Sequence, residues 1–368
     1  MTKKLGLYIH IPFCVSKCTY CNFYSFPTTA EAMDEYCNKL IKELKKWGAE
    51  VSRPISSVYI GGGTPTVLGG DRLSLLLDTV NNCFKLSPNA EVTVEGNPAD
   101  DLVEVIPKIV KSGCNRFSLG MQSANEDELK LLGRRHTSDI ARKAVDKIRN
   151  GGINNLSVDL MLGLPNSTKD TLQKSIDFAV SLGPEHISAY ILKLESGTPL
   201  KAKADYLPDD DGVANQYLQL CEALESSGYE HYEISNFAKK GYHSQHNTAY
   251  WKCEEYIGIG PAAHSFYNGK RFYYPPDISE FLESPNPVDD GEGGTKEEYV
   301  MLGLRLKSGI SSAEFEEAFG CVLPSVIEEK AKELQKNGLC NVTNGRISLT
   351  DNGMLVSNAI INYFLEEI

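Results

Sequence analysis

The sequence has 368 residues, 41% of them hydrophobic, and a chain of this size can bury a core without disulfides or a partner subunit. Its formal net charge of −12 argues against binding to nucleic acid or to an anionic membrane through the overall field. The ten cysteines follow no export signal, which favours reduced thiols or metal ligands in a cytoplasmic protein over a disulfide framework. The apolar run from Leu5 to Phe13 is too short to span a membrane.

Short apolar runs alternate with segments of helical period over roughly the first half of the chain. Leu172, Ile176 and Ala179, for example, form one apolar stripe of a predicted helix. The runs that predict strands are Leu5–Phe13, Ser57–Ile60, Glu91–Glu95, Arg116–Met121, Leu156–Met161 and His186–Leu192. Six βα units predict an α/β fold with parallel strands, either a doubly wound sheet or a partial or full barrel, and both place ligands at the carboxyl ends of the strands.

A second unit is predicted after the linker 284–294, which is rich in Pro, Asp and Gly and has no apolar stripe. In 295–368 the pattern predicts helices near 296–307, 311–319 and 325–337, a hairpin that turns at Asn344-Gly345, and a last helix from about 351. This is a small winged-helix-like α+β domain. Because acidic residues outnumber basic ones in it, a structural or lid role is favoured over contact with nucleic acid.

Three cysteines lie on the loop after the first predicted strand. Cys14, Cys18 and Cys21 have the spacing C-x3-C-x2-C. Three thiolates can hold three irons of a 4Fe-4S cluster and leave the fourth iron open to another ligand. A zinc site with His10 as the fourth ligand, or three buried thiols, are the alternatives.

The residues that flank the cysteines carry a family resemblance. The segment 8–23, YIHIPFCVSKCTYCNF, resembles the signature of radical S-adenosylmethionine (SAM) proteins, in the branch that holds oxygen-independent coproporphyrinogen dehydrogenases and HemW-type haem chaperones. The resemblance implies a partial (β/α)6 barrel at 1–283 with a haem- or substrate-binding extension, and a HemN-like domain at 295–368. It also implies a 4Fe-4S cluster on the three cysteines whose open iron chelates SAM, and a reduced cluster that cleaves SAM to a 5′-deoxyadenosyl radical.

The same resemblance assigns residues to SAM. Glycines in Gly61-Gly62-Gly63-Thr64-Pro65 permit a close approach of backbone to ligand, and the absence of a following Gly-Lys-Ser/Thr argues against nucleotide hydrolysis. Carboxylates suit an ammonium group or ribose hydroxyls, and arginine suits a carboxylate. Taken singly, residues of these types are more often surface or cap residues. The positions that match SAM contacts are Tyr8, Tyr20, Gly62, Gly63, Thr64, Glu95, Gln122, Arg134 and Asp159.

Two features separate the two branches of the family. Coproporphyrinogen dehydrogenases carry another cysteine two residues after the third cluster ligand, where this chain has Phe23. The dehydrogenases also have a longer segment before the position that matches Tyr8. The chain also contains His246-Asn247-Thr248-Ala249-Tyr250-Trp251, which resembles the HNxxYW motif of the haem chaperones. Histidine is a natural haem ligand and aromatic rings pack on porphyrins, although a buried histidine before two aromatic residues is ordinarily a packing feature.

The sequence therefore predicts a haem chaperone that delivers haem to a haem-requiring acceptor such as a respiratory enzyme. His246, Tyr250 and Trp251 are the candidate haem residues, with His243 as a second candidate ligand. Neither nucleic acid binding nor membrane insertion is expected, and any membrane contact is expected to be peripheral, through the acceptor. The alternatives are radical oxidative decarboxylation of a porphyrinogen propionate, and a zinc-stapled binding module.

Overall fold

A computed structural model describes residues 4–368. Six parallel strands form its centre, and each pairs with the next one along the chain. They are β1 (Leu5–Ile11), β2 (Ile55–Gly62), β3 (Leu86–Gly96), β4 (Arg116–Gln122), β5 (Asn155–Leu162) and β6 (His186–Ile191). The predicted strands are confirmed, with β3 beginning earlier than the sequence pattern indicated.

Helices connect the parallel strands and cover the outer face of the sheet. Side chains such as Thr29, Asp101 and Thr168 cap their amino ends. Leu172, Ile176 and Ala179 of the predicted stripe are buried. These helices are α1 (Ala30–Glu50), α2 (Gly70–Cys83), α3 (Leu102–Lys111), α4 (Glu126–Leu131), α5 (Ser138–Asn150) and α6 (Lys169–Ser181).

The two faces of the sheet differ in polarity because side chains alternate along each strand. On β1, Leu7 and Ile9 are fully buried in the hydrophobic core, while the hydroxyl of Tyr8 bonds the ring of His10. On β4, Phe117 and Leu119 belong to the same core, and Arg116 and Ser118 lie on the other face and line a cavity. The apolar face packs on the helices, and the polar face forms the interior of the barrel.

Further strands extend the sheet at both edges. The order is β12-β11-β10-β9-β1-β2-β3-β4-β5-β6-β8-β7, and no pairing of β7 with β12 closes it among the described residues, so the predicted partial barrel is confirmed. The added elements are α7 (Asp210–Ser226), β7 (Glu230–Glu233), β8 (Asn236–Ala238), α8 (Gln245–Trp251), β9 (Glu255–Ile259), β10 (His264–Tyr267), β11 (Lys270–Tyr273), α9 (Ile278–Glu283) and β12 (Val288–Glu292).

The segment 284–294, predicted as a linker, contains strand β12. The residues of this strand are all exposed, and it pairs antiparallel with β11 at the edge of the sheet. An edge strand is held by main-chain hydrogen bonds on one side, so it needs no apolar stripe. The sequence pattern gave no sign of this strand for that reason. The boundaries 1–283 and 295–368 remain predictions.

The C-terminal residues form the predicted winged-helix-like arrangement. Its hairpin turns at Asn344 and Gly345, which both have positive φ, as a two-residue type I′ turn requires. The first predicted helix ends earlier, at Gly303, and the last one is broken into two. The elements are α10 (Lys296–Gly303), β13 (Ile310–Ser311), α11 (Ser312–Phe319), α12 (Ser325–Lys336), β14 (Cys340–Thr343), β15 (Arg346–Leu349), α13 (Asp351–Leu355) and α14 (Ser357–Leu365).

Within residues 4–368, the helices include none whose length and apolar character would let it traverse a bilayer.

Candidate functional site

A cavity of about 540 Å³ opens at the carboxyl ends of the parallel strands. Its size is in the range of small-molecule and cofactor sites, and its position is where βα folds bind ligands. Of the predicted residues, it is lined by Cys14, Cys18, Cys21, Tyr20, Gly62, Gly63, Thr64, Glu95, Gln122, Arg134 and Asp159.

The cysteine loop follows β1 and is fixed at both ends by main-chain hydrogen bonds. Cys14 N donates to Phe26 O at 3.2 Å, and Thr19 N donates to Leu132 O at 3.1 Å. The loop turns between the second and third cysteines, where Cys21 N donates to Cys18 O at 3.2 Å. The spacing of the motif therefore brings three thiols to one wall of the cavity.

All three cysteines are free thiols. Burial raises the pKa of Cys14, and the neighbouring thiols of Cys21 and Cys18 raise it further. Among residues 4–368, their Sγ atoms are not gathered within 4.8 Å of one another, whereas bonds of about 2.3 Å bring the thiolate ligands of one zinc ion within about 4 Å. At least one pair of these Sγ atoms therefore lies farther apart than the thiolate ligands of one zinc ion.

His10 is not placed as a fourth ligand. Its Nδ1 lies 2.9 Å from the Tyr8 hydroxyl and its Nε2 lies 3.0 Å from Tyr24 O. Burial lowers the pKa of this ring, which keeps it neutral. Both ring nitrogens are therefore engaged on the inner side of β1.

The glycine turn after β2 packs directly against the start of the cysteine loop. Gly63 N donates to Ile11 O at 2.8 Å, and Thr64 N donates to Phe13 O at 2.7 Å. A Cβ on Gly63 would lie 2.4 Å from Phe13 O, and one on Gly62, whose φ is +115°, would lie 2.5 Å from the His10 ring. The two segments can meet at this wall only because these positions have no side chain.

Two carboxyl groups face the middle of the cavity. Glu95 accepts hydrogen bonds from the Tyr59 hydroxyl at 2.7 Å and from Gly62 N at 3.1 Å, and burial raises its pKa to about 7. Asp159 accepts from the Ser118 hydroxyl at 3.2 Å, and burial raises its pKa to about 6. A cationic group bound beside these carboxyls would stabilise their charged forms.

Gln122 and Arg134 lie at the cavity mouth. Gln122 has a φ of +72° beside a bulge at the end of β4, and such a bulge redirects the side chain. Arg134 donates to Gly120 O and lies 3.4 Å from the Cys18 thiol, while its buried Nε has no hydrogen-bond partner among the described residues. An unpartnered guanidinium N–H beside the cysteines fits a carboxylate held at that position.

The two predicted tyrosines are placed differently. Tyr20 lines the cavity beside Arg134, and burial raises its pKa. Tyr8 lies inside the barrel but does not line the cavity. Its ring is 6.3 Å from the ring of Tyr59, which does.

The predicted haem residues lie outside the cavity lining. His246 is 1% exposed, and its ring nitrogens lie 2.9 Å from the Ser57 hydroxyl and 2.7 Å from the Tyr250 hydroxyl. Burial lowers its pKa to about 3. Tyr250 packs on this ring, and Trp251 ends α8. His243 is exposed and stacks on Tyr232. In this conformation His246 is a packing residue of the barrel interior.

Several cavity residues were not predicted from the sequence. Asn247 is the member of the HNxxYW segment that reaches the cavity, and Arg116 and Tyr59 also line it. The signal for Arg116 and Tyr59 is the polar–apolar alternation within the strands, which marks the inward positions even where no motif exists.

The other seven cysteines lie apart from this cavity lining, which agrees with their scattered spacing. The four buried ones are Cys37, Cys114, Cys221 and Cys340. The three partly buried ones are Cys83, Cys253 and Cys321.

Two family descriptions match the sequence. The Radical SAM superfamily matches residues 8–179, and the HemN C-terminal domain matches residues 296–356. A solved structure of coproporphyrinogen III oxidase (HemN) from Escherichia coli, described as a radical SAM enzyme, superposes with a TM-score of 0.85. The match covers 100% of this chain and 91% of that chain at 21% identity, which shows a shared fold.

Curated relatives match the chain over its full length. The heme chaperone HemW of Bacillus subtilis (strain 168) is 35% identical, and the alignment covers 98% of this chain and 99% of the relative. The heme chaperone HemW of Escherichia coli (strain K12) is 34% identical, with 99% and 98% covered. The chain belongs to the HemW family of the radical SAM superfamily.

Proposed function

We propose that this protein binds haem and delivers it to a haem-requiring acceptor, and that it holds a 4Fe-4S cluster and SAM in the strand-end cavity. The observation that carries the proposal is identity of about 34% or more, over nearly the whole chain, to curated heme chaperones. The cavity supports it, because three free thiols lie beside polar groups that suit a zwitterionic, cationic ligand.

The protein's own residues would share the work of holding the cofactors. Cys14, Cys18 and Cys21 supply thiolates to three irons, which leaves one iron for SAM. Glu95 and Asp159 favour the positive groups of SAM, and Arg134 favours its carboxylate. When bound, the reduced cluster supplies an electron to SAM.

Porphyrinogen decarboxylation is the second candidate, and the shared fold with HemN favours it. Phe23 stands where the dehydrogenases carry a further cysteine, and its side chain is 68% exposed at the cavity mouth. An apolar side chain there provides surface for a porphyrin face but no thiol chemistry. This residue therefore favours haem binding over the decarboxylation reaction.

Anaerobic reconstitution tests both candidates. The purified protein is loaded with iron and sulfide, its iron content and absorption spectrum are recorded, and SAM and haem are then added in turn. We expect a brown protein that binds haem and transfers it to an apo-haemoprotein. Stoichiometric conversion of coproporphyrinogen III to protoporphyrinogen in the presence of SAM and reductant would overturn the chaperone proposal.

The cluster ligands are tested by Cys18→Ala. Because two thiolates cannot retain the cube as three do, we expect the iron content to fall to background. Cys321→Ala, in the C-terminal region, serves as the matched control and should retain full iron. A Cys18→Ala protein with wild-type iron content and absorbance contradicts the ligand assignment.

A further inference from the structure

Arg116 is the largest fully buried side chain of the protein and lines the cavity. Its side chain is 2% exposed, and its Nε has no hydrogen-bond partner among the described residues. The nearest acid, Glu91, is 3.8 Å away from this nitrogen. A buried guanidinium without hydrogen bonds is costly unless a ligand supplies them.

Glu91 lies too far from Arg116 Nε for a hydrogen bond, and other donors hold it in place. Its Oε1 accepts from His246 N at 3.1 Å and from the Ser244 hydroxyl at 3.4 Å, and its Oε2 accepts from Gln245 N at 3.1 Å. The carboxylate therefore caps the amino end of α8. It balances the charge of Arg116 but forms no hydrogen bond with its Nε.

The charges along the cavity are layered. Arg134 lies beside Cys18. In the register of the sheet Asp159 lies beside Gly120, and Glu95 lies beside Ser118, nearer to Arg116. Arg116 is the first residue of β4, and Gly120, whose carbonyl accepts a hydrogen bond from Arg134, comes four residues later. Four residues of extended strand span roughly 13 Å. A carboxylate near the cysteines is within reach of Arg134, so the arginine at the floor is a separate anion-binding position.

We propose that Arg116, with Asn247, which also lines the cavity, binds the carboxylate of a cavity ligand. The inference rests on the proposed function for the identity of that ligand: haem carries two propionate carboxylates, whereas the methionyl carboxylate of SAM is assigned to Arg134. Arginine suits this role because its planar fork matches a carboxylate with two parallel hydrogen bonds.

The test pairs each ligand with a form that lacks the carboxylate. Reconstituted protein is titrated with haem and haem dimethyl ester by absorbance, and with SAM and decarboxylated SAM by calorimetry. We expect the wild type to prefer haem over its dimethyl ester roughly tenfold to a hundredfold, the range for hydrogen bonds to a charged group. Arg116→Met should abolish that preference and leave the preference for SAM over decarboxylated SAM unchanged, because Arg134 holds the methionyl carboxylate.

Arg149→Met is the matched control, because Arg149 also pairs with a glutamate, Glu185, but does not line the cavity. It should keep the wild-type preferences. Arg116→Lys keeps the charge without the fork and should reduce the preference, which covers the case in which Arg116→Met fails to fold. Equal preferences in wild type and both Arg116 variants, or no preference in the wild type, overturn the inference. A wild type that binds neither haem form contradicts the proposed function, whereas one that binds both haem forms equally contradicts only the inference.

Discussion

The carboxyl group of Glu95 couples the protonation of the cavity to the stability of the fold. Burial raises its pKa from 4.5 to about 7, so the folded chain keeps a proton that the unfolded chain has already lost. The contribution of this proton to stability is fully present at pH values below the pKa of Glu95 in the unfolded chain. It is lost as the pH rises through the folded pKa of about 7. Asp159 acts in the same direction, with a folded pKa of about 6.

We expect Glu95→Gln to flatten the pH dependence of stability, because glutamine cannot ionise. Between about pH 5 and about pH 8 the free energy of unfolding of the wild type should fall by about 2 kcal/mol more than that of the variant. This is less than the full pKa shift of Glu95 would give, because its carboxyl group faces the cavity. Urea unfolding at both pH values measures this. Exposed Glu50→Gln is the control, and parallel profiles for wild type and Glu95→Gln would refute the argument.

His246 is held by two hydrogen bonds within the barrel, so its replacement tests the proposed haem site and its packing role together. We expect His246→Ala to weaken haem binding or transfer and to leave the cluster iron unchanged. The lost ring should also lower the free energy of unfolding by about 2–3 kcal/mol. The same change at exposed His243 should have little effect on stability. Haem affinity and delivery equal to wild type in His246→Ala would remove this residue from the proposed site.

At the residue scale, motifs and strand periodicity carry different information. The three cysteines and the glycine turn lie at the predicted wall of the cavity because short local spacing fixes them on one loop and one turn. Arg116 was missed because its role depends on relations between distant segments. Its side chain lies on the inner face of the sheet, and Glu91 accepts hydrogen bonds from the amino end of α8. His246 matches a motif, yet neighbouring strands enclose it, and a single sequence does not reveal such enclosure.

At the scale of elements, the turn after β2 determines how closely two segments of the cavity wall approach. Gly62 has positive φ, and the space for its Cβ is filled by the His10 ring at 2.5 Å. We expect Gly62→Ala to lower the free energy of unfolding by about 2–4 kcal/mol, through backbone strain and overpacking together, and to weaken SAM binding. Thermal unfolding and calorimetry measure the two effects.

Gly69 supplies the control for that substitution. It also has positive φ, at +80°, but nothing lies within 4 Å of its Cβ position. Gly69→Ala should therefore show only the strain, about 1–3 kcal/mol, and leave SAM binding unchanged. If both variants lose equal stability and bind SAM equally, close packing at Gly62 does not shape the site.

The elements show where periodicity suffices and where it fails. The parallel strands were predicted because buried runs bounded by turns leave a clear pattern, and α6 because of its apolar stripe. Strand β12 was missed because edge pairing uses only the main chain, and the break between α13 and α14 falls at Val356, within a continuous apolar pattern. In both cases the decisive interaction is outside the local sequence.

At the scale of the whole molecule, a polar network connects the barrel to the C-terminal region. Asp351 at the start of α13 accepts from Lys307 at 2.7 Å and pairs with His231 of β7 at 3.0 Å. The His231 ring in turn lies 3.4 Å from the Tyr217 hydroxyl of α7. The hydrogen bond from His231, aided by Lys307, holds the pKa of Asp351 well below its usual range. Asp351 thus contributes stability at neutral pH that is lost as the pH falls below about 4.

We expect Asp351→Asn to lower the free energy of unfolding by about 1–2 kcal/mol at neutral pH and to speed proteolysis of the C-terminal region, because two charge-assisted hydrogen bonds are weakened. Urea unfolding and limited proteolysis measure these effects. Glu314→Gln is the control, since its partner Arg346 is also exposed and such a pair contributes at most about 0.5 kcal/mol. The deficit of Asp351→Asn should be smaller at about pH 3, because the unfolded wild-type chain takes up a proton at Asp351 there while the folded chain still holds the carboxylate charged. A deficit that persists unchanged at that pH would place the effect in packing at α13 rather than in the charge that joins the two parts of the chain.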